Sequence, residues 1–472
     1  MLDKIFKNKI FTYAYAVVLF ALACAVVFKN DEVNGAIFFG YVASAALILS
    51  SRLTDAMLPA MLLCVFVTRC YDSADIFLAK VPFFIPVVIA IIAHFVIYRR
   101  KLRIGRSFFG LCAVTVAVTL GGLGTISASD YFAGGAIYYV FGLGIGMVAF
   151  YLLVKSNFTA ESGKEVARIM YIMGLFACFC VLRFYAADWQ TFMETGKFVN
   201  FQSSNNLATF LMFAMPFPLF YASRRYVDIF SVILIYICTV MTGSRGGLLM
   251  GTIEFFVILI AFAIFDNTRV FNRFFYAAIA IGLVVVALFS LKPIAAFCGF
   301  NLGVSDDASV WECIVAFKDY FFQDDGNKSE ARVKLIDRMI ADFKNNPIFG
   351  TGIGYTGNSD IYNPREGAMN WYHMWFAQVI GGLGIVGILA YGYQLVDRII
   401  LFFKNISLFN LTFMLSYFGL FIMSQVNPGE FCPMPYTALA VTFFIIIEKE
   451  SDDIDLKALP AKIKAKFTKK KA

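Results

Sequence analysis

The chain has 472 residues, of which 60% are hydrophobic and 15% charged, and its formal net charge at pH 7 is +8. Soluble globular proteins carry about 25% charged residues, so the composition excludes an ordinary soluble domain and predicts a polytopic membrane protein. The positive charge lies in short loops and a basic tail, which is typical of a protein held against anionic lipid and does not predict a nucleic-acid partner.

Apolar runs of about 17–22 residues recur along the chain, which is the length that crosses the hydrocarbon core of a bilayer. Two of the runs are short, so we expect an all-α fold with 12–14 transmembrane helices. The fourteen candidate spans are 11–28, 34–50, 55–69, 76–97, 108–126, 135–154, 166–185, 205–221, 226–242, 246–265, 274–291, 373–395, 406–425 and 432–447.

The basic residues predict the orientation of these spans. Cytoplasmic loops are enriched in Lys and Arg, and the basic stretches of this chain all fall on one side of the span count. This pattern predicts a multi-pass protein of the cytoplasmic (inner) membrane with both termini in the cytoplasm. The basic stretches are the N terminus, 98–106, 155–168, 223–225, 266–273, 397–398 and the C-terminal tail.

The expected organisation has five parts, and only one of them is long and polar outside the membrane. That part is the extracytoplasmic loop at about 292–372, which should contain a surface helix. Functional residues are therefore expected there and at the helix ends that adjoin it. The parts are N-terminal transmembrane helices at 1–200, further transmembrane helices at 201–291, the loop at 292–372, C-terminal transmembrane helices at 373–450 and a basic cytoplasmic tail at 451–472.

The motif TGSRGG at 242–247 stands at the extracytoplasmic start of the tenth span. A helix start presents free N–H groups and a partial positive charge, and Gly246 and Gly247 allow a ligand to approach the backbone closely. Arg245 could grip a phosphate with two parallel hydrogen bonds. The alternative is an arginine that reaches the membrane interface for solvation alone.

Within the extracytoplasmic loop, residues 331–345 show helical spacing of apolar side chains at Val333, Ile336, Ile340 and Phe343. Arg332 lies one turn before Ile336, at the edge of this predicted apolar face. Ser329 is a candidate N-cap, and Asn346-Pro347 should end the helix. The following GTGIG stretch predicts a loop that other backbone can approach closely.

His373 begins the twelfth span, within the aromatic sequence WYHMWF. Histidine is the side chain best suited to accept a proton near neutral pH, although an interfacial histidine in an aromatic belt is the alternative. Asn205-Asn206, Arg245 and His373 all mark extracytoplasmic helix starts in this count. Three such positive ends on one face would suit an anionic, membrane-borne substrate.

Glu254 lies near the middle of the tenth span, about 13 Å along the helix from Arg245. A carboxyl group inside the membrane is a functional candidate. Glu254 is too deep to reach the same substrate atom as His373, so we expect a structural hydrogen bond or a protonated acid. The ten cysteines lie mostly in apolar runs without the spacing of a metal site or a disulfide framework, and no metal ligand set is predicted.

Four pieces of the sequence resemble the bacterial O-antigen ligase and polysaccharide polymerase family, in the family's order. They cover about residues 200–395, and Met374 stands where the family usually has Asn after its histidine. Arg332 takes the family's Arg position, with Gly350, Gly352 and Gly354 at its glycines. The pieces are QSSNNLATFLMFAMP, TGSRGGLLMG, SEARVKLIDRMIADFKNNPIFGTGIGYTG and YHMWFAQVIGGLGIVG.

The resemblance implies a membrane-embedded inverting glycosyltransferase without cofactor or metal, because arginines supply the charge that a cation supplies elsewhere. The donor would be a glycan on undecaprenyl diphosphate and the acceptor a glycan or lipid hydroxyl. Arg245 and Arg332 would stabilise the leaving group, with His373 as the general base. The expected substrate-binding residues are Ser244, Gly246, Asn205, Asn206, Gly352 and Gly354.

The expected activity is that of an O-antigen or capsule-type repeat-unit polymerase, and the alternative is a ligase that moves finished glycan to lipid A core or protein. Membrane lipids and other polysaccharide-assembly proteins are the expected partners. From another class, a transporter of polysaccharide or lipid-linked sugar would show repeat symmetry and midplane charge, whereas here the polar residues lie mainly at one face.

Overall fold

The computed structural model describes residues 8–69, 80–98, 100–125, 134–159, 161–187, 204–222, 225–289, 303–305, 308–322, 329–353, 372–427, 429–448 and 454–455. This part of the chain is almost entirely helical. Its α-helices are α1 Lys9–Lys29, α2 Glu32–Leu49, α3 Thr54–Arg69, α4 Ile85–Ile97, α5 Ser107–Leu120, α6 Gly134–Leu143, α7 Ile145–Asn157, α8 Ser162–Ala187, α9 Ser204–Ala214, α10 Phe217–Ala222, α11 Val227–Met241, α12 Arg245–Phe265, α13 Val270–Phe289, α14 Val310–Phe322, α15 Ser329–Asn345, α16 Trp375–Lys404, α17 Leu408–Met423 and α18 Ala438–Ile447.

Each of the fourteen predicted spans contains helix, and α14 and α15 lie in the predicted loop between α13 and α16. The prediction of an all-α polytopic membrane protein is confirmed. Among the described residues, six helical segments are long and apolar enough to cross a membrane, and further apolar helices are shorter. The six are Ile10–Lys29, Glu32–Leu49, Tyr139–Asn157, Ser162–Ala187, Arg245–Phe265 and Trp375–Lys404.

Short non-α elements join the helices. A 3-10 turn, Val81–Phe84, leads into α4, and a second 3-10 turn and a π-helical turn, Gly429–Phe431 and Pro433–Thr437, lie between α17 and α18. Strand β1, Arg103–Ile104, pairs antiparallel with β2, Ile454–Asp455, through two residue pairs. This small ladder connects the segment before α5 to the segment after α18.

Buried aromatic rings fill the contact between α3, α8, α9 and α18. Phe176 and Phe213 are fully buried, and the ring of Phe213 lies 4.9 Å from that of Phe443. The ring of Phe66 lies 5.8 Å from that of Phe176. Because lipid gives little hydrophobic drive for helices to associate, this close packing is what holds such helices together.

Helix α16 is broken at Gly384, which has φ +60 and ψ −152. The two helical hydrogen bonds that would span this point are replaced by bonds to the loop that follows α15. The amides of Ile385 and Val386 donate to the carbonyl oxygens of Pro347 and Ile348, at 2.8 and 3.1 Å. The loop therefore closes a gap that would leave backbone groups unpaired inside the protein.

The same loop satisfies the opposite side of the break. The amides of Thr351 and Gly352 donate to the carbonyl oxygens of Gly381 and Gly382, at 3.0 and 2.7 Å. An added Cβ on Gly350 would lie 2.5 Å from the carbonyl carbon of Gly382. The close approach predicted from the GTGIG sequence is confirmed for this glycine.

Two sequence predictions near these helices were wrong. Among the described side chains of α15, from 334 to 345, the buried ones are Leu335, Met339 and Asp342, whereas Ile336 and Phe343 are half-buried and Ile340 is exposed. The helix is turned by about one residue relative to the expected apolar face, because Asp342 accepts a hydrogen bond from the buried hydroxyl of Tyr372. A buried acid with a partner outweighs a simple apolar pattern.

The second error concerns Asp397 and Arg398, which were expected in a basic loop. Both lie inside α16, which continues to Lys404, and both are buried. Each has a charged partner, Arg106 for Asp397 and Glu430 for Arg398. A paired charge can remain within a helix bundle where an unpaired one could not.

Candidate functional site

Arg245 is the first residue of α12, and its position is set by the residue before it. Ser244 is the N-cap, and its hydroxyl accepts a hydrogen bond from the amide of Gly247 at 2.9 Å. Gly243 has φ +71, a backbone conformation that favours glycine. The predicted helix start at the TGSRGG motif is thus present, with Arg245 at the positive end of the helix.

The start of α9 lies directly beside the start of α12. The Ser244 hydroxyl donates a hydrogen bond to the side-chain oxygen of Asn205 at 2.5 Å. A Cβ added to Gly247 would lie 2.7 Å from the Cβ of Ala208. The carbonyl oxygen of Asn206 accepts a hydrogen bond from the Tyr436 hydroxyl at 2.7 Å. Asn205 and Ser244, predicted to bind substrate, therefore bind one another in this structure.

His373 lies two residues before α16 in the left-handed region, with φ +52. A non-glycine residue adopts this conformation only where its surroundings hold it. Before it, the amide of Tyr372 donates to the side-chain oxygen of Gln378 at 3.2 Å. After it, the amide of Trp375 donates to the carbonyl oxygen of Ser424 at 2.8 Å. The backbone is therefore held on both sides of His373.

The end of α17 connects the elements that carry Arg245 and His373. An added Cβ on Gly246 would lie 2.9 Å from Val426 and 3.3 Å from Met423. Ser424, between these two residues, is the residue that binds the amide of Trp375. Arg245 is thus one position before Gly246, and His373 two positions before Trp375. Gly246 and Trp375 both contact residues 423–426.

Arg332 lies within α15, in a part of the helix whose side chains the structure does not describe. Its position along the helix is one turn before Leu335. Leu335 and Met339 pack against Tyr372, Met374 and Ala377, on either side of His373. Arg332 thus lies on a helix that is docked beside His373, roughly 60° around the helix axis from Leu335.

Gly352 lies in the loop that follows α15, and it has a structural role that the sequence did not reveal. The amide of Gly352 is bonded to α16, as described above, and its φ is +91. Gly354 and the rest of 354–371 lie outside the described residues. What is observed for Gly352 is a bond to the protein backbone, and a role in binding substrate stays a prediction for both glycines.

Residues 230–392 match the family model described as O-antigen ligase. The resemblance stated above is confirmed over this stretch. No curated protein matches the chain. The match supports a glycosyltransferase of polysaccharide assembly, of the ligase or polymerase type. It includes Arg245, Arg332 and His373, whereas Asn205, Asn206 and the end of α17 lie outside it.

Within the O-antigen ligase match, sequence reasoning missed a polar chain that joins α15 to α16. The Tyr372 hydroxyl donates to the Asp342 carboxylate, and the guanidinium of Arg338 donates to both oxygens of Asp342 at 2.9 and 2.8 Å. Burial and the neighbouring carboxylate raise the pKa of Tyr372 above its usual range. Tyr372 therefore remains a donor at any pH at which the protein would work. The sequence signal for this contact was the spacing of Asp342, which lies two helical turns after the apolar Leu335 and so on the same face of α15.

The chemistry that these residues offer is anion binding and proton acceptance. A guanidinium at a helix start favours phosphate, and an imidazole can accept a proton near neutral pH. Among the described residues, no group of three or more His, Cys, Asp or Glu side chains could hold a metal ion.

Proposed function

We propose that the chain transfers a glycan from undecaprenyl diphosphate to an acceptor hydroxyl at the extracytoplasmic face of the cytoplasmic membrane. The main observation behind this proposal is that residues next to Arg245 and His373 both contact the end of α17, at 423–426. Gly246, next to Arg245, approaches Met423 and Val426, and Trp375, two residues after His373, binds Ser424. An anion-binding group and a candidate base thus adjoin one stretch of backbone.

Arg245 and Arg332 would hold the diphosphate of the donor. Guanidinium groups bind phosphate oxygens through two parallel hydrogen bonds and keep their charge. Placed at the start of α12, Arg245 adds to the partial positive charge of the helix end. Positive groups held ready where negative charge develops lower the barrier for the departing group.

His373 would act as the general base. Its imidazole takes the proton from the acceptor hydroxyl, and the oxygen of that hydroxyl forms a bond to the anomeric carbon of the donor sugar. The bond from this carbon to the diphosphate oxygen breaks, and its electron pair remains on the diphosphate, beside the arginines. Attack opposite the leaving group inverts the configuration at the sugar.

The proposed sidedness follows from the basic loops. Lys and Arg are concentrated on the side that carries both termini in the span count, which assigns that side to the cytoplasm. The starts of α12 and α16 then lie at the opposite, extracytoplasmic face. Membrane lipids and other polysaccharide-assembly proteins are the proposed partners.

The test is Arg245→Ala, Arg332→Ala and His373→Ala, each in a strain that makes the glycan. Chain lengths are measured by gel electrophoresis and protein amounts by immunoblot. We expect each variant to lose at least about 100-fold in product, since an electrostatic or general-base group contributes about that much. Arg269→Ala is the matched control, because Arg269 is exposed at the other end of α12 and lies 5.9 Å from the ring of Tyr226. Normal product from the three variants would refute the proposal.

Of the two reactions in this class, we propose the repeat-unit polymerase. The ligase is the second candidate, because the matched family is described by that activity. Deletion of the gene distinguishes them. Loss of a polymerase leaves single repeat units on the lipid carrier, whereas loss of a ligase leaves long lipid-linked chains.

A further inference from the structure

The ion pair between Arg398 and Glu430 joins α16 to the segment that precedes α18, and both of its residues are buried. Arg398 and Glu430 are 4% and 3% exposed. One terminal nitrogen of Arg398 lies 2.5 Å from Oε1 of Glu430 and also donates to the Tyr417 hydroxyl at 2.5 Å. The guanidinium lies over the rings of Tyr417 and Phe444, at 4.6 and 4.9 Å.

The position of Glu430 relative to α18 follows from one hydrogen bond. Helix α18 has ten residues and is therefore about 15 Å long, half of a hydrocarbon core of about 30 Å. The hydroxyl of Thr437, just before this helix, donates to the carbonyl oxygen of Glu430 at 2.7 Å. Glu430 is thus level with the start of α18, about 15 Å along the helix axis from its end.

The backbone around Glu430 is not α-helical, although it is buried within the protein. The 3-10 turn Gly429–Phe431 and the π-helical turn Pro433–Thr437 are almost entirely buried. Irregular backbone inside a membrane is stable only where protein covers it and satisfies its polar groups. A buried charge pair at this point is costly to form and costly to break, so a reason for its presence is needed.

Glu430 is joined to the backbone beside His373 through one residue. Its amide donates to the hydroxyl of Ser424 at 3.0 Å, and that hydroxyl donates to the carbonyl oxygen of Leu420 at 2.7 Å. The carbonyl oxygen of Ser424 accepts the hydrogen bond from Trp375. Moving Glu430 would therefore move the acceptor that fixes the residue two positions after His373.

Aromatic contacts follow the same route. The ring of Phe431 lies 5.3 Å from that of Tyr391, which lies 5.8 Å from the ring of Trp375. Trp375 also packs against Phe421 at 5.4 Å. The segment that contains Glu430 thus contacts the start of α16 through both backbone and side chains.

We propose that Arg398 and Glu430 are positioning residues, which hold residues 424–431 in place against α16 and so fix the backbone that presents His373. The inference rests on the proposed function for its effect on turnover. Its structural part, the link from Glu430 to Trp375, stands independently. Both residues lie outside the stretch that matches the O-antigen ligase family.

Two measurements test the proposal on the full chain, each with Arg398→Gln, Glu430→Gln and the double variant. The first is turnover of lipid-linked glycan extracted from a deletion strain. We expect each single variant to lower kcat by roughly 10- to 100-fold, the effect of misplacing a reacting group by about 1 Å, with KM within about threefold. The double variant leaves no unpaired charge, and its two amides can bond, so it should recover at least part of kcat.

The second measurement does not depend on the substrate. In a chain with Trp189→Phe, Trp311→Phe and Trp371→Phe, Trp375 is the only tryptophan left of the four. Acrylamide quenching of its fluorescence should rise in each single variant and fall back in the double variant. If a single variant does not accumulate, Arg398→Lys replaces it, because lysine keeps the charge with less of the packing.

Arg225→Gln is the matched control. It breaks the ion pair between Arg225 and Asp228 at the start of α11, while the Tyr171 hydroxyl still donates to Asp228, and it should leave kcat and quenching within about twofold of the unmodified chain. Single variants with unchanged kcat and quenching would overturn the proposal, as would a loss of kcat without any change at Trp375. If His373→Ala is fully active in the same assay, the proposed function fails, whereas the quenching result still decides whether the link exists.

Discussion

Gly350 lies against the backbone of Gly382, and a Cβ added to Gly350 would be 2.5 Å from the carbonyl carbon of Gly382. This contact places the loop after α15 inside the break of α16. Four hydrogen bonds between the two segments replace the two that the helix lacks. The loop is therefore part of the wall that supports the start of α16, where His373 lies.

Gly350→Ala should destabilise the protein by at least about 2 kcal/mol. The substitution places a methyl group against backbone atoms that cannot move aside, and the φ of +62 is itself unfavourable for alanine. Gly392→Ala, in the same α16, is the control, since nothing lies within 4 Å of its added Cβ, and the change should be neutral or stabilising. Thermal unfolding in detergent measures both. Equal melting temperatures for the two variants would contradict this account of the loop.

Ser244 makes two hydrogen bonds, and mutation can separate their contributions to stability. Ser244→Ala removes both the cap of α12 and the bond to Asn205, whereas Asn205→Ala removes only the second. Loss of an N-cap costs about 1 kcal/mol, so Ser244→Ala should lower the melting temperature more than Asn205→Ala. Ser244→Asp would retain an acceptor for the Gly247 amide and should restore most of the stability. A lower stability for Asn205→Ala than for Ser244→Ala would show that the cap is not the stronger contact.

The hydroxyl of Tyr372 connects α15, which carries Arg332, to the backbone beside His373. Tyr372→Phe removes this bond but leaves Asp342 paired with Arg338, so the protein should still fold. If the proposed site is correct, product formation should fall by roughly tenfold, because a small displacement of a catalytic group has a large effect on rate. Tyr13→Phe, at an exposed ring on α1, is a suitable control. Glycan length and protein amount are the measurements, and unchanged product would show that this link does not position the site.

Much of the fold could be predicted because lipid imposes strong rules on sequence. An apolar run must form a helix to satisfy its backbone, and for this reason all fourteen spans contain helix. The helix start at Arg245 was also predictable, since serine is a common N-cap residue and Ser244 stands just before a long apolar run. Such features depend on neighbours in the chain.

The features that could not be predicted depend on residues far apart in sequence. The break at Gly384 is stable only because Pro347 and Ile348 supply acceptors, and no local pattern reports this. The same holds for Arg398, whose partner Glu430 is 32 positions away. From the sequence alone it is a charge near the end of a span, and a loop was the simpler interpretation.

Glu254 lies inside α12 without a hydrogen-bond partner for either carboxyl oxygen among the described residues. It is fully buried, and an added Cβ on Gly419 of α17 would lie 2.2 Å from its Oε1. A buried carboxyl group without a partner is stable in its neutral form, which agrees with the protonated acid expected from the sequence. The structural hydrogen bond that was the other expectation is not found in this part of the chain.

Glu254→Gln should therefore be tolerated. Glutamine has nearly the shape of a neutral glutamic acid, so the melting temperature should fall by no more than about 4 °C and glycan length should be unchanged. Glu254→Lys is the contrasting variant, because it places a longer, charged group against Gly419 and should reduce the amount of folded protein severely. Product loss in Glu254→Gln at normal protein amount would mean that the carboxyl group itself takes part in the reaction, and that its position about 13 Å from Arg245 does not separate it from the site.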